Sequence, residues 1–186
     1  MQTGNTLVVV DVQPAYAEHC RPLMPQYIAE VAKRIHRGEE VLLTVNVPEL
    51  SGDTDEDVAV FWYEHGLDEA YMDRLIRVPK TYAFLRGWMD NGAPDDEIIS
   101  TLRALRKEGL NDTRSISTKK LEKLAPEGSQ LIDPLFLPDE LEYSELAHLP
   151  TMDICGGYRD QCLREVELWL DSRGNTYNRL EHLVFN

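Results

Sequence analysis

The chain has 186 residues, a length that suits one domain with a sizeable core. Its 19 basic and 33 acidic residues give a net charge of −14, which argues against nucleic acid and anionic membranes as partners, because both bind clustered Lys and Arg. Three cysteines without CxxC spacing argue against a disulfide framework or a structural zinc site and predict a reducing, cytoplasmic setting. The apolar run at residues 7–10 ends at Asp11 and is too short for a signal peptide, and no stretch approaches the ~20 apolar residues of a membrane span.

The first part of the chain is predicted to form a β-α-β unit. Residues 6–10 are a continuous apolar and β-branched run, typical of a strand that is covered on both faces, and Asp11 follows its C-terminal end. Residues 24–37 carry apolar side chains at helical spacing, and residues 40–47 form a second apolar run. This order is the repeating unit of a parallel α/β sheet.

A third strand is predicted near the middle of the chain. Residues 48–56 are predicted to be a polar loop, and residues 58–63 a short aromatic-rich helix or lid. Residues 75–79 then indicate a short strand with Lys80 at its C-terminal end. Another helix is expected to start within residues 81–89.

Residues 93–145 are the atypical segment of the chain. Asp95 or Asp96 is predicted to cap a helix that runs to residue 108. Farther along, residues 117–124 indicate a short helix and residues 130–132 a short strand, and prolines and acids favour loops elsewhere.

The last part of the chain contains a strand, a tight turn and a long helix. Residues 152–155 are predicted to be a buried strand, followed by two glycines and a helix over residues 159–172. Cys162 therefore falls in the first turn of a helix, where unpaired N–H groups and the helix dipole favour a thiolate. The alternative is a buried apolar cysteine without chemistry.

A final strand is expected within residues 177–185. The alternation of strands and helices predicts one domain over residues 1–186, a three-layer α-β-α fold with a mostly parallel, Rossmann-like sheet.

Three reactive side chains follow predicted strands at their C-terminal ends, where open parallel sheets bind ligands. These are Asp11, Lys80 and Cys162. A carboxylate can take the thiol proton, an ammonium can stabilise the thiolate, and the thiolate can attack a carbonyl whose oxyanion is held by N–H groups near Tyr158 and Cys162. Each residue also has a structural interpretation: Asp11 as a helix cap, Lys80 as a surface lysine, and the two glycines as close packing of strand and helix.

The chain resembles the isochorismatase-like cysteine hydrolases, the superfamily that includes nicotinamidases and N-carbamoylsarcosine amidases. Three segments carry the resemblance, in order along the chain: residues 7–13 (LVVVDVQ), residues 78–84 (VPKTYAF) and residues 156–162 (GGYRDQC).

The resemblance implies a role for each of the three reactive residues. Cys162 would be the nucleophile, Asp11 the general base, and Lys80 the group that supports thiolate and transition state. The resemblance also implies a cis peptide bond between Gly157 and Tyr158 in the turn before the nucleophile.

The chain departs from the metal-binding nicotinamidases after its second strand. Their Asp-x-His pair is absent, because the corresponding residues 45–48 read Val-Asn-Val-Pro. We therefore expect no metal and no cofactor. The segment at residues 93–145 is longer than is usual for the family, so the substrate is not implied.

Several further residues are candidates for a substrate pocket, although aromatic residues at such spacing are more often part of a core. The candidates are Gln13, Phe61, Trp62, Tyr82 and Trp88. The five histidines show no ligand spacing and are interpreted as structural or surface residues.

The preferred function is a metal-independent cysteine hydrolase that cleaves a C–N bond of a small amide-type substrate. Ether hydrolysis of the isochorismatase type is possible on the same scaffold, but Cys162 favours covalent chemistry. The alternative is a catalytically inactive scaffold that serves as a binding or interaction protein. A phosphoacceptor receiver domain is disfavoured, because it requires paired acids after the first strand. By resemblance, a homo-oligomer is expected.

Overall fold

The computed structural model describes residues 5–80, 85–110, 115–137, 146–149 and 151–186. A five-stranded sheet forms its centre, with the strand order β3-β2-β1-β4-β5. The strands are β1 (Thr6–Val10), β2 (Val41–Asn46), β3 (Leu75–Lys80), β4 (Thr151–Gly156) and β5 (Thr176–Val184). The predicted fold class, α/β with a mostly parallel sheet flanked by helices, is confirmed.

Helices of different lengths connect the strands. They are α1 (Ala17–Cys20), α2 (Met24–His36), α3 (Pro48–Ser51), α4 (Asp55–Glu64), α5 (Glu69–Met72), α6 (Arg86–Asp90), α7 (Asp95–Lys107), α8 (Thr118–Leu124) and α9 (Cys162–Arg173), with 3-10 turns at Pro14–Tyr16 and Arg21–Leu23.

The register of the sheet brings the ends of its inner strands together. Val10 pairs in parallel with Thr44 of β2 on one side and with Gly156 of β4 on the other, and Thr44 pairs with Val78 of β3. Every residue of β1 and β2 is buried, which explains their continuous apolar sequences. The chain segments that follow these strands therefore start at one edge of the sheet.

The described chain divides into two compact units. The first comprises Met1–Thr81, Leu149–Leu163 and Tyr177–Asn186. Its core includes the buried face of α2, where Tyr27 donates a hydrogen bond to the Leu183 carbonyl at 2.7 Å. Burial raises the pKa of the Tyr27 hydroxyl, so it stays protonated as a donor.

The second unit comprises Tyr82–His148 and Arg164–Thr176. Its core holds the apolar face of α7, and Arg103 of that helix donates to the carbonyl of Asp171 at 2.8 Å. The predicted single domain with an atypical segment at residues 93–145 stays a prediction.

Three local predictions were wrong. Residues 130–132 form a turn, and the nearby pairing is an isolated antiparallel bridge between Ile116 and Leu135. Asp95 is the first residue of α7 and Pro94 occupies the cap position, so neither aspartate caps the helix. The last helix begins at Cys162 instead of residue 159.

Two further predictions were incomplete. The predicted polar loop at residues 48–56 contains α3, and α4 begins at Asp55. Thr54 and Asp57 form a capping box that extends α4 beyond its aromatic segment. Residues 81–84 of the predicted helix at 81–89 lie outside the described residues, and α6 occupies Arg86–Asp90. Within the described ranges, none of the helices is both long and apolar enough to cross a bilayer.

Candidate functional site

Asp11 and Lys80 form a buried ion pair at the C-terminal edge of the sheet. The Lys80 Nζ lies 2.5 Å from Asp11 Oδ2. Their side chains are 2% and 0% exposed, so little solvent screens the pair. Lys80 is therefore a core residue, contrary to its interpretation as a surface lysine.

The backbone of Asp11 is held in an uncommon conformation. Its φ of +52° lies in the left-handed region, which a non-glycine residue adopts at a cost of order 1 kcal/mol or more. Its N–H donates to the Thr44 carbonyl of β2 at 2.9 Å, which fixes the turn. The second carboxylate oxygen, Oδ1, is buried and has no hydrogen-bond partner in the described part of the chain. A buried acceptor left in this state is costly unless it has another use.

Two glycines shape the turn after β4. Gly156 has a φ of +105°, and a Cβ there would lie 2.1 Å from the carbonyl oxygen of Val10. The N–H of Gly157 donates to that same oxygen at 3.1 Å, so it is not available to a ligand. The peptide bond between Gly157 and Tyr158 is cis, as the resemblance implied.

The same turn delivers Cys162 to the start of α9. The N–H groups of Gln161 and Leu163 both donate to the Tyr158 carbonyl at 3.0 Å, which closes the turn around the cysteine. Cys162 is the first residue of the 12-residue helix and is 8% exposed. The N–H of Tyr158 has no acceptor among the described residues. That N–H is thus a donor that the turn leaves for a ligand.

The pKa of the Tyr16 hydroxyl indicates that the three reactive groups, Asp11, Lys80 and Cys162, lie near one another. Burial first, and then the charges of Asp11 and Cys162, raise the pKa of this hydroxyl to about 12, and the charge of Lys80 opposes this rise. Asp11, Lys80 and Cys162 are therefore all within electrostatic reach of one phenol. Tyr158 carries a second such effect, since burial and then the charge of Cys162 raise its pKa.

The sequence reasoning missed Tyr16. It lies five residues after Asp11, in the connection that leaves β1. Its place shortly after the end of β1, the same signal that indicates Asp11, is the sequence feature that could have found it.

The other two cysteines, Cys20 and Cys155, lie in the core and not at the start of α9. Cys20 and Cys155 are both buried, at 0% exposure. Burial raises the pKa of the Cys20 thiol to about 11, and it also raises the pKa of Cys155. Both are protonated at neutral pH, which makes them poor nucleophiles and useful internal controls.

Gln13 is a buried residue that braces the site through hydrogen bonds of its side chain. Its side chain is buried, its Oε1 accepts from the backbone N–H of Asn46 at 2.8 Å, and its Nε2 donates to Asp53 at 2.8 Å. Asp53 also accepts from the N–H of Ala15 at 2.8 Å. Gln13 therefore ties together the segments that follow β1 and β2.

The remaining pocket candidates lie in different places. Trp62 is fully buried in the core of the first unit and donates from Nε1 to the Val12 carbonyl at 3.1 Å. Phe61 is also in this core, and its edge lines a surface groove of about 570 Å³. Trp88 is buried in the second unit, and Tyr82 lies outside the described residues. Across the described ranges, no group of three or more His, Cys, Asp or Glu side chains is arranged to hold a metal ion.

Comparisons with known proteins give a likeness to solved structures alone. No family model and no curated protein matches the chain. A similar solved structure is that of the MAR1 ribonuclease from Caenorhabditis elegans, with 13% sequence identity and a TM-score of 0.47 over 99% of this chain. The chain spans 66% of that protein's length, just under two thirds. The resemblance to isochorismatase-like hydrolases therefore depends on the three sequence segments.

Proposed function

We propose that the protein is a metal-independent cysteine hydrolase of the isochorismatase-like type, which cleaves a C–N bond of a small amide. The observation that carries the proposal is the buried Asp11–Lys80 pair at the sheet edge from which Cys162 also emerges. Burying a charged pair costs desolvation energy that well-packed apolar residues would not incur. A catalytic role for Asp11 and Lys80 explains why the protein retains this buried pair despite its cost.

The proposed reaction has two steps. The Asp11 carboxylate accepts the proton of the Cys162 thiol, and Lys80 stabilises the negative charge while the thiolate adds to the amide carbonyl. The tetrahedral intermediate collapses, the C–N bond breaks, and Asp11 returns the proton to the leaving nitrogen. Asp11 then takes a proton from water, and the hydroxide attacks the thioester. The C–S bond breaks to release the carboxylic acid, and Asp11 returns its proton to the Cys162 sulfur, which regenerates the thiol.

The turn supplies the group that stabilises the developing oxyanion. The Tyr158 N–H has no acceptor among the residues described, and Cys162 begins a helix whose positive end favours an anion. Such a donor acts most strongly when it points to the oxygen of the tetrahedral intermediate. We further propose a homo-oligomer, which light scattering in solution would test.

The first experiment measures site-resolved alkylation by iodoacetamide across pH, followed by peptide mass spectrometry. Cys162 is expected to react fastest near neutral pH, with Cys20 and Cys155 as internal controls. Lys80→Ala should remove that advantage, and Lys80→Arg, which retains the positive charge, should keep part of it. Circular dichroism would establish that each variant is folded.

The outcome separates the two functional hypotheses. If Cys162 in the folded protein reacts no faster than a free thiol of pKa ~8.5, the group is not activated and the inactive binding scaffold becomes the better explanation. If it is activated, a screen of small amides follows, and Cys162→Ala should abolish turnover of any substrate found. Full turnover in that variant would exclude covalent catalysis.

A further inference from the structure

The hydroxyl of Tyr16 is held in place by the end of β2. Asn46 donates from Nδ2 to the Tyr16 oxygen at 2.6 Å. Asn46 is itself fixed, because it is 6% exposed and its backbone N–H donates to the Gln13 side chain at 2.8 Å. The position of the Tyr16 oxygen is therefore set by the sheet and not by a flexible loop.

The hydrogen of that hydroxyl remains available. Tyr16 accepts a hydrogen bond, and within the described ranges no acceptor lies within reach of its own O–H. Burial and the neighbouring negative charges raise the pKa of Tyr16 to about 12, so the group keeps its proton at neutral pH. Tyr16 is half-buried, so its hydroxyl hydrogen is a donor that a bound molecule can reach and use.

The ring of Tyr16 packs against the turn that carries the nucleophile. Its centroid lies 5.6 Å from that of Tyr158, edge to face. Asp11, Lys80 and Cys162 all act electrostatically on its hydroxyl. The unused donor thus lies close to the groups of the proposed reaction.

We infer that Tyr16 is a specificity-determining residue, whose hydroxyl donates a hydrogen bond to the carbonyl or carboxamide oxygen of the molecule that Cys162 attacks. The inference rests on the proposed function and adds its substrate requirement: an acceptor oxygen on the reacting carbon or on the carbon bonded to it. A site that is built to donate such a bond discriminates against molecules without the acceptor, because its own polar group is then left unpaired.

Two alkylating reagents test this without a known substrate. Iodoacetamide carries a carboxamide group on its reacting carbon, and iodoethane has the same leaving group with a methyl group in place of the carboxamide. With either reagent the C–S bond forms as the C–I bond breaks, iodide leaves with the bonding electron pair, and the thiol proton passes to Asp11 or buffer. The measured quantity is the ratio of the two rate constants at Cys162, divided by the same ratio for free cysteine.

Tyr16→Phe should lower this ratio by about three- to tenfold, the usual effect of one hydrogen bond, and leave the iodoethane rate unchanged. Asn46→Asp should lower it as well, because a carboxylate would accept the Tyr16 hydrogen and remove it from the ligand. Tyr63→Phe is the matched control, since Tyr63 is 58% exposed, and should leave the ratio unchanged.

Each other outcome has a defined meaning. An unchanged ratio in Tyr16→Phe overturns the inference, and so does an equal fall in both rates, which would indicate a general effect on Cys162. If wild-type Cys162 reacts no faster than free cysteine with either reagent, the proposed function fails and this inference fails with it. The wild-type measurement alone therefore distinguishes the two failures.

Discussion

The ring of Phe185 occupies the space that a side chain at Gly157 would need. A Cβ at this glycine would lie 2.4 Å from Cε2 of the ring, well inside contact distance. Gly157→Ala should therefore destabilise the protein by about 1–3 kcal/mol, the usual cost of overpacking, as measured by urea unfolding. Combining it with Phe185→Leu should recover part of the loss, because the smaller side chain relieves the overlap.

Gly156→Ala should be more harmful than Gly157→Ala. Its Cβ would lie 2.1 Å from the backbone oxygen of Val10, in the central strand, and its φ of +105° is unfavourable for alanine. A strand backbone cannot move aside as a ring can, so we expect the free energy of unfolding to fall by more than ~3 kcal/mol. Gly87→Ala, where nothing lies within 4 Å of the added Cβ, is the control. Equal unfolding midpoints for Gly156→Ala and this control would contradict the argument.

Most of the sheet could be predicted from the sequence because its inner strands are buried on both faces. A continuous apolar run such as Thr6–Val10 has few other uses in a chain of this size, and its predicted bounds agree with the structure. The wrong secondary-structure predictions fall in segments where the pattern of apolar and polar side chains is weak. Residues 130–132 looked strand-like in composition, but strand formation needs a partner, and the neighbouring pairing is a single bridge at Ile116 and Leu135.

The same limit applies to the site. The positions of Asp11 and Lys80 at strand ends could be predicted from the sequence, but their contact could not. It depends on the strand order, because β2 lies between their strands, and local pattern does not encode that order. The role of Tyr16 could not be predicted from local sequence, because the hydrogen bond that orients its hydroxyl comes from Asn46, thirty residues farther along the chain.

The energetic coupling of Asp11 and Lys80 should exceed that of any exposed pair. Lys80→Met leaves the Asp11 carboxylate buried without its cation, and we expect it to lower the free energy of unfolding by about 3–5 kcal/mol. Adding Asp11→Asn removes the stranded charge, so the double variant should be more stable than Lys80→Met alone. A double-mutant cycle in urea measures this directly. The exposed Lys120–Glu108 pair is the control, and additive effects at Asp11 and Lys80 would contradict a coupled pair.

Asp153 should contribute an acid-sensitive part of the stability. Burial alone would raise the pKa of this carboxyl, but hydrogen bonds from Arg34, Asn178 and Asn5 outweigh it and hold the pKa below its usual range. Between that value and the unfolded pKa of ~3.9, the unfolded chain binds more protons, so stability increases with pH. The contribution is present above about pH 4 and is lost as the pH falls through the folded pKa.

The measurement is a series of urea unfolding curves from pH 6 to pH 2.5. Asp153→Asn should lower stability near pH 6, and its difference from wild type should shrink below about pH 4. Asp90→Asn, at an exposed carboxylate, controls for the general effect of removing one acid. A difference that stays constant over the whole range would show that the Asp153 charge is not the source.

Gln13→Glu separates the bracing role of Gln13 from a role in binding substrate. The new carboxylate can still accept from the Asn46 N–H, but it would lie against Asp53, which now accepts from the Gln13 amide at 2.8 Å. Loss of this donor and the repulsion between two carboxylates should destabilise the protein by about 1–3 kcal/mol. Adding Asp53→Asn supplies a donor again and should restore much of the loss, while Gln130→Glu at an exposed position should have little effect. If Gln13→Glu instead leaves urea unfolding unchanged and alters only the alkylation of Cys162 by iodoacetamide, then Gln13 contacts the ligand and the bracing role is wrong.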